Sequence, residues 1–260
     1  MIALLISFVQ LTTPHPPHFG FAVDYDGSVL AARIVEQTVK VARYRIDGSN
    51  LREAKVFEPE FKGALEIMPK RDGFVVLDYE GGTVVEMSKE GKVRWQTRVR
   101  YPTIARMDPL GNVWAVFNSG YLMRKTPDSS VFEHILYPSG LEIAQDFAID
   151  IVPLADGTFF TVQQDGEIHY FGPDKKFTSI AKVPTDRMIG STLGGVLCYK
   201  DGVIRHVSRG GAVRELTRLP ASISEGVRFF ARAADGRLMV GRQVGSSTGS
   251  VTFLDSNIEK

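Results

Sequence analysis

Cysteine is nearly missing from this chain: Cys198 is the only one in 260 residues. That excludes an internal disulfide and any zinc site built on cysteine pairs. Net charge is missing as well. Thirty-one Lys and Arg stand against 30 Asp and Glu, so no overall field draws the chain to nucleic acid or to an anionic membrane. No basic block with interleaved aromatics occurs, and no nucleic-acid partner is expected. No membrane span is expected either, because the apolar stretch Ile2–Val9, interrupted by Ser7, is far too short to cross a bilayer as a helix. Helical 3.6-residue periodicity is the last absence; Gly140–Phe147 could at most make one or two turns. What remains is 43% hydrophobic and 23% charged residues, a balance that excludes general disorder and leaves ample material for a core.

Glycine is plentiful, and its spacing gives the architecture. A tight turn after an apolar run occurs at Asp26-Gly27, Asp72-Gly73, Leu110-Gly111, Asp156-Gly157, Gly194-Gly195 and Asp235-Gly236. The glycines are 46, 38, 46, 38 and 41 residues apart, a repeat of about 42. A two-residue hairpin turn, which needs positive φ, explains why glycine stands there. Each is followed by a short strand-like run: Ser28–Ala32, Phe74–Tyr79, Asn112–Phe117, Thr158–Gln163, Val196–Tyr199 and Arg237–Gly241. Second turns follow near Glu36-Gln37, Glu80-Gly82, Asn118-Gly120, Asp165-Gly166 and Asp201-Gly202, and third turns at Asp47-Gly48, Glu90-Gly91, Pro127-Asp128, Gly172-Asp174, Gly210-Gly211 and Asp255-Asn257. Three turns joining four short runs, repeated six times, predict an all-β, six-bladed β-propeller of four-stranded antiparallel blades. The blades are expected at roughly 18–59, 63–102, 103–138, 145–184, 186–220 and 224–260, forming a single domain over 1–260.

Proline marks the blade ends. The fourth run of each repeat closes near Pro59, Pro102, Pro138, Pro184 or Pro220, as an outer edge strand allows, since no partner needs its N–H. The last repeat lacks such a run, whereas the N-terminus holds a spare one ending at Pro14. Residues 4–13 are therefore expected to close the ring as the outer strand of the last blade. A second reading of residues 1–13 stands beside it: a truncated signal segment, suggested by the run Ala3-Leu4-Leu5-Ile6. Under that reading an exported or periplasmic location is favoured over a cytoplasmic one.

Two short runs carry a family resemblance. Asp108-Pro-Leu-Gly-Asn-Val-Trp114 resembles the DP-x-G-N-x-W run of the NHL and SMP-30/gluconolactonase-like (TolB-like) six-bladed propellers. Lys89-Glu-Gly-Lys-Val-Arg-Trp95 resembles the x-x-G-K-x-x-W run of quinoprotein-type repeats, where the tryptophan packs between neighbouring blades. WD40 repeats are disfavoured because no Gly-His/Trp-Asp pairing appears, and kelch repeats because their Gly-Gly…Tyr…Trp pattern is missing. These motifs speak of blade packing, not activity.

No catalytic constellation stands out. The five histidines, His15, His18, His134, His169 and His206, show no metal-ligand pairing; the register puts His134 and His169 in outer or third strands. No Gly-x-Ser-x-Gly elbow, His-Glu-x-x-His or P-loop occurs. The remaining candidates come from position. Aligning the repeats places Glu66, Arg106, Asp150, Arg187, Glu225 and Arg228 in or just before the innermost strands, at the mouth of the central channel. Charges in such apolar runs need a partner or water. Either they pair across the channel and plug it, or they form a polar mouth for a small anionic or sugar-like ligand. The resemblance implies a third option, a divalent cation on the axis held by Glu, Asn and Asp. Ser224-Glu225-Gly226 and Asp150 match that pattern faintly, but the axial asparagines have no counterpart, and three arginines suit Ca²⁺ poorly. No cofactor is predicted, with Ca²⁺ the ion to test. The expectation is a monomeric, non-enzymatic binding or interaction module for a protein or a small ligand. The alternative is a metal-dependent hydrolase, lactonase or lyase using Glu66, Asp150 and Glu225.

Overall fold

The computed structural model describes residues 8–13, 20–99, 102–117, 122–135, 148–244 and 249–259. A strand from the N-terminal region, β1 (Phe8–Thr13), comes first. Blade one follows as β2 (Phe21–Val23), β3 (Val29–Val35), β4 (Thr38–Asp47) and β5 (Asn50–Phe61). Blade two is β6 (Leu65–Lys70), β7 (Gly73–Asp78), β8 (Thr83–Ser88) and β9 (Val93–Arg98). Blade three is β10 (Pro102–Met107), β11 (Val113–Phe117), β12 (Leu122–Lys125) and β13 (Glu133–His134). Blade four is β14 (Ala148–Pro153), β15 (Phe159–Gln163), β16 (Glu167–Phe171) and β17 (Phe177–Lys182). Blade five is β18 (Arg187–Gly190), β19 (Val196–Lys200), β20 (Val203–Val207) and β21 (Val213–Arg218). A one-turn helix α1 (Ala221–Ser224) leads to β22 (Val227–Arg232), β23 (Leu238–Gln243) and β24 (Gly249–Leu254) of blade six.

The strands of each blade are consecutive antiparallel neighbours, so every blade is a meander whose first strand lies innermost. Blade six has three strands from its own stretch of chain. Its fourth is β1, which pairs antiparallel with β24 from Phe8↔Leu254 to Thr13↔Gly249. Residues 1–7, and with them the start of the apolar run, lie outside the described residues.

Six cores hold six junctions. Leu30, Phe57 and Phe61 of blade one meet Leu65, Phe74 and Met87 of blade two. Leu77 and Val84 meet Ala105 and Ala115 of blade three. Trp114 and Leu122 meet Ile151 and Phe159 of blade four. Val162 and Ile168 meet Met188 and Cys198 of blade five. Leu197 and Ile204 meet Phe230 and Leu238 of blade six. Met239 and Phe253 return to Val23 and Tyr44 of blade one, closing the ring. Successive residues of a strand thus face opposite neighbours: Val29 packs toward blade six and Leu30 toward blade two. Burial on both faces is why the second strands read as unbroken apolar runs instead of alternating ones.

The structure corrects several local readings. The first turns are three-residue loops, not two-residue ones: the Gly27, Gly111, Gly157 and Gly236 N–H groups bond to the carbonyls three residues back, and each glycine has positive φ. A type I turn followed by a left-handed residue matches the strand twist as well as a primed turn does. Gly73 differs, with no positive φ. It starts β7, and a Cβ there would lie 2.0 Å from the Met87 carbonyl oxygen, so close approach of two strands is what demands glycine. Pro102 opens β10 and does not close β9. Pro59 stands near the end of the outer strand β5, as expected, where the register between β4 and β5 shifts. Asp255 is followed by a short 3-10 helix, Ser256–Glu259, where a bare turn was expected. Pro138, His15, His18, Asn118 and the stretch 140–147 lie outside the described residues.

Candidate functional site

Inner strands of neighbouring blades bring three of the candidates together. Arg106 on β10 donates through Nη1 to Glu66 Oε1 on β6, and through Nη2 to Asp150 Oδ1 on β14 at 2.8 Å. Tyr79, just past the end of β7, donates to Glu66 Oε2 at 2.5 Å. Asp150 also accepts the Ile151 N–H at Oδ1 (2.9 Å) and the Met188 N–H, from β18, at Oδ2 (2.8 Å). One guanidinium and two carboxylates thus tie blades two to five around the axis.

Burial sets the energetics of this chain of contacts. The Asp150 side chain is 0% exposed, and those of Glu66 and Arg106 are 26% exposed. A carboxylate taken wholly out of water survives only with such partners. Burial by itself works against the Arg106 charge, but the Asp150 and Glu66 carboxylates outweigh it and hold the guanidinium more firmly protonated than usual. Burial, together with the Glu66 charge, pushes the Tyr79 phenol well above its ordinary range, so it acts as a donor and not as a base.

The set does not suit a divalent cation. Arg106 already sits between the two carboxylates, and both Asp150 oxygens face N–H donors. Asn112 is spent in its turn, where its Nδ2 donates to Asp108. Among the described residues no group of three or more His, Cys, Asp or Glu could hold a metal. The one cysteine is not an activated nucleophile: burial pushes the Cys198 thiol up to about 12. His169 and His206 lie on the third strands β16 and β20, remote from the inner strands.

The other three candidates lie elsewhere. Glu225 follows α1 on an exposed stretch just before the inner strand β22, and it makes no contact with Asp150 among the described hydrogen bonds and ion pairs. Arg187 opens β18, and Arg228 is the second residue of β22. Both line a cavity of about 770 Å³, which also touches Ile149, Asp186, Tyr199 and Lys200. Arg228 falls at a register shift between Val227 and Phe229, and Ile149 at the equivalent shift between Ala148 and Asp150. Such bulges turn an extra side chain out of the ladder. Here they turn it toward the face where the inner strands begin.

Tyr79, Tyr199, Lys200 and Asp186 were missed by sequence reasoning. All but Asp186 stand at the ends of second strands, which return antiparallel to the face from which the inner strands set out. Counting back from the second turn of each repeat would have found them. The two tryptophans behave as their motifs imply. Asp108 accepts Leu110 and Asn112 N–H groups and the Trp114 Nε1–H (2.9 Å), seating the indole between blades three and four. Trp95 donates to the Ser130 carbonyl and packs on Phe132, both in blade three.

Comparison with solved structures bears on the fold. A gluconolactonase of Xanthomonas campestris aligns with a TM-score of 0.66 at 14% identity, over 96% of this chain and 90% of that one. A streptogramin B lyase aligns at 0.58 and 12%, over 96% and 97%. YCF48, solved bound to a D1 peptide, aligns at 0.61 and 11%, over 98% of each chain. The chain is a six-bladed β-propeller. At such low identity the likeness carries the fold alone, and the neighbours include both enzymes and binding modules. No family model and no curated protein matches the sequence.

Proposed function

We propose that the protein is a non-enzymatic binding module, a rigid ring that presents the face where its inner strands begin to a small anionic or sugar-like ligand or to a protein. The observation that carries this is the saturation of the axial carboxylates. Glu66 and Asp150, the groups a hydrolytic site on the axis would need as metal ligands or bases, are held by Arg106, Tyr79 and backbone N–H groups. A general base needs a free lone pair within reach of its proton, and Asp150 is fully enclosed. The cavity beside Arg187 and Arg228 stays open on this face. A peptide-bound neighbour, YCF48, supports binding as a use of this architecture, as analogy at the level of fold.

The alternative, a metal-dependent hydrolase, lactonase or lyase, draws on the fold shared with the gluconolactonase and the lyase. Turnover assays decide between them. The full chain, purified and supplemented in turn with Ca²⁺, Mn²⁺ and Zn²⁺, is assayed on lactones and aryl esters beside Asp150→Asn and Glu225→Ala. No turnover and no metal-dependent rise in melting temperature is the expected result. Hydrolysis that disappears in either variant would overturn the binding-module reading.

A further inference from the structure

The cavity on the inner-strand face has a charge pattern of its own. Its two carboxylates are already matched: Asp186 pairs with Lys200 at 2.6 Å, and Asp165 with Lys182. Its two arginines are not. Among the described residues, Arg187 donates to the Asp186 carbonyl at 2.9 Å and Arg228 to the Gln243 side-chain oxygen at 3.3 Å, with no further hydrogen bond recorded for either. Neither has an ion pair among the described residues. Two surplus guanidiniums therefore share one concavity, on adjacent inner strands of blades five and six, whose lining also includes the apolar side chains of Ile149 and Val227. Arg228 is turned there by a β-bulge, a feature that costs ladder hydrogen bonding and recurs where a side chain is re-aimed at a site.

We infer that this cavity, off the axis and separate from the Arg106 cluster, binds a small organic oxyanion. The carboxylate or phosphate group lies between Arg187 and Arg228, and the uncharged body rests against Ile149, Val227 and Tyr199. Three features select this class. Guanidinium forks match carboxylate and phosphate oxygens two at a time, with a geometry that a lysine lacks. A volume of about 770 Å³ is that of a small-molecule site and not of a groove for an extended chain. Neutral sugars gain nothing from two unpaired cations, which are better left in water than covered without a counter-charge. The inference deepens the binding-module reading, since it names the ligand class of that face.

The test is calorimetric titration of the full chain at constant ionic strength. The probes are malate, glucose 6-phosphate and inorganic phosphate, with glucose as the neutral control. Binding of at least one organic oxyanion, with none of glucose, is expected. Arg187→Ala and Arg228→Ala should each weaken it by about tenfold or more, the loss typical of one charge-assisted contact. Arg187→Lys keeps the charge and the fold but not the fork, and should recover only part of the affinity. Circular dichroism and melting of each variant establish that it is folded. Malate and glucose 6-phosphate separate the carboxylate from the phosphate source. The inference is overturned if no oxyanion binds, if glucose binds as well, or if affinity is unchanged in both alanine variants. It is also overturned if affinity is lost in Arg106→Met while both cavity variants retain it. Product formation from a bound probe would instead defeat the binding-module reading and leave the site assignment standing.

Discussion

Removing Arg106 should do more harm than any other single change on the channel wall. Arg106→Met keeps most of the stem volume and deletes the charge that two carboxylates share. Asp150 is left fully enclosed with only backbone N–H partners. Breaking a buried pair from one side costs about 3–5 kcal/mol. At this chain length a kcal/mol moves the melting temperature by roughly 2 °C, so a fall of about 6–10 °C is expected. A pair of double-mutant cycles then divides the effect. Glu66 and Arg106 each keep about a quarter of their side-chain surface in water, and solvent screening limits their coupling to about 1 kcal/mol. Coupling of Arg106 to Asp150, with Asp150→Ala as the partner change, should reach roughly 2–4 kcal/mol. Urea unfolding followed by tryptophan fluorescence gives both numbers from the midpoints and slopes. A coupling to Asp150 below that to Glu66, or an Arg106→Met protein melting within about 2 °C of its parent, refutes the reasoning that enclosure makes this contact strong.

Glu259 gives a pH-dependent prediction. Burial alone would raise its carboxyl, but the Thr192 N–H, the Arg232 charge and the Ser191 hydroxyl outweigh it and hold the group below the usual range. A lowered folded-state pKa adds stability that is full above the unfolded value and is lost as pH falls through the folded one. Glu259→Gln should therefore cost about 1–2 kcal/mol at pH 7, and the gap between the two melting curves should begin to narrow as pH falls below about 4.3, the ordinary glutamate value; a constant gap down to pH 3 would contradict it. Gly27→Ala meets open space and strains only a φ of 80°, a cost of about 1–2 kcal/mol. Gly73→Ala drives a methyl into the Met87 carbonyl and should be clearly the worse of the two in the same melts. Deleting residues 1–13 uncovers the β24 edge that β1 now pairs, so a lower melting temperature and concentration-dependent aggregation are expected. Unchanged melting and scattering would show that this pairing contributes nothing.

The number of blades and the positions of their turns were readable from residue identity. Gly27, Gly111, Gly157 and Gly236 hold conformations that few other residues tolerate, and such local demands are written in residue identity. The doubly buried second strands were legible for the same reason, as were the indole seats of Trp95 and Trp114. How charges on different blades meet emerges only in the assembled ring. Glu66, Arg106 and Asp150 are about 40 residues apart in sequence, and their pairing depends on how far each inner strand tilts and which rotamer reaches across. The repeat alignment placed Glu225 just before an inner strand, but the turn of α1 that precedes β22 is a local helix that no repeat alignment registers. The cavity beside Arg187 and Arg228 was illegible as a cavity, since its walls come from second-strand ends and bulges in three blades. A repeat fixes what each blade is; the space between blades exists only once the ring is closed.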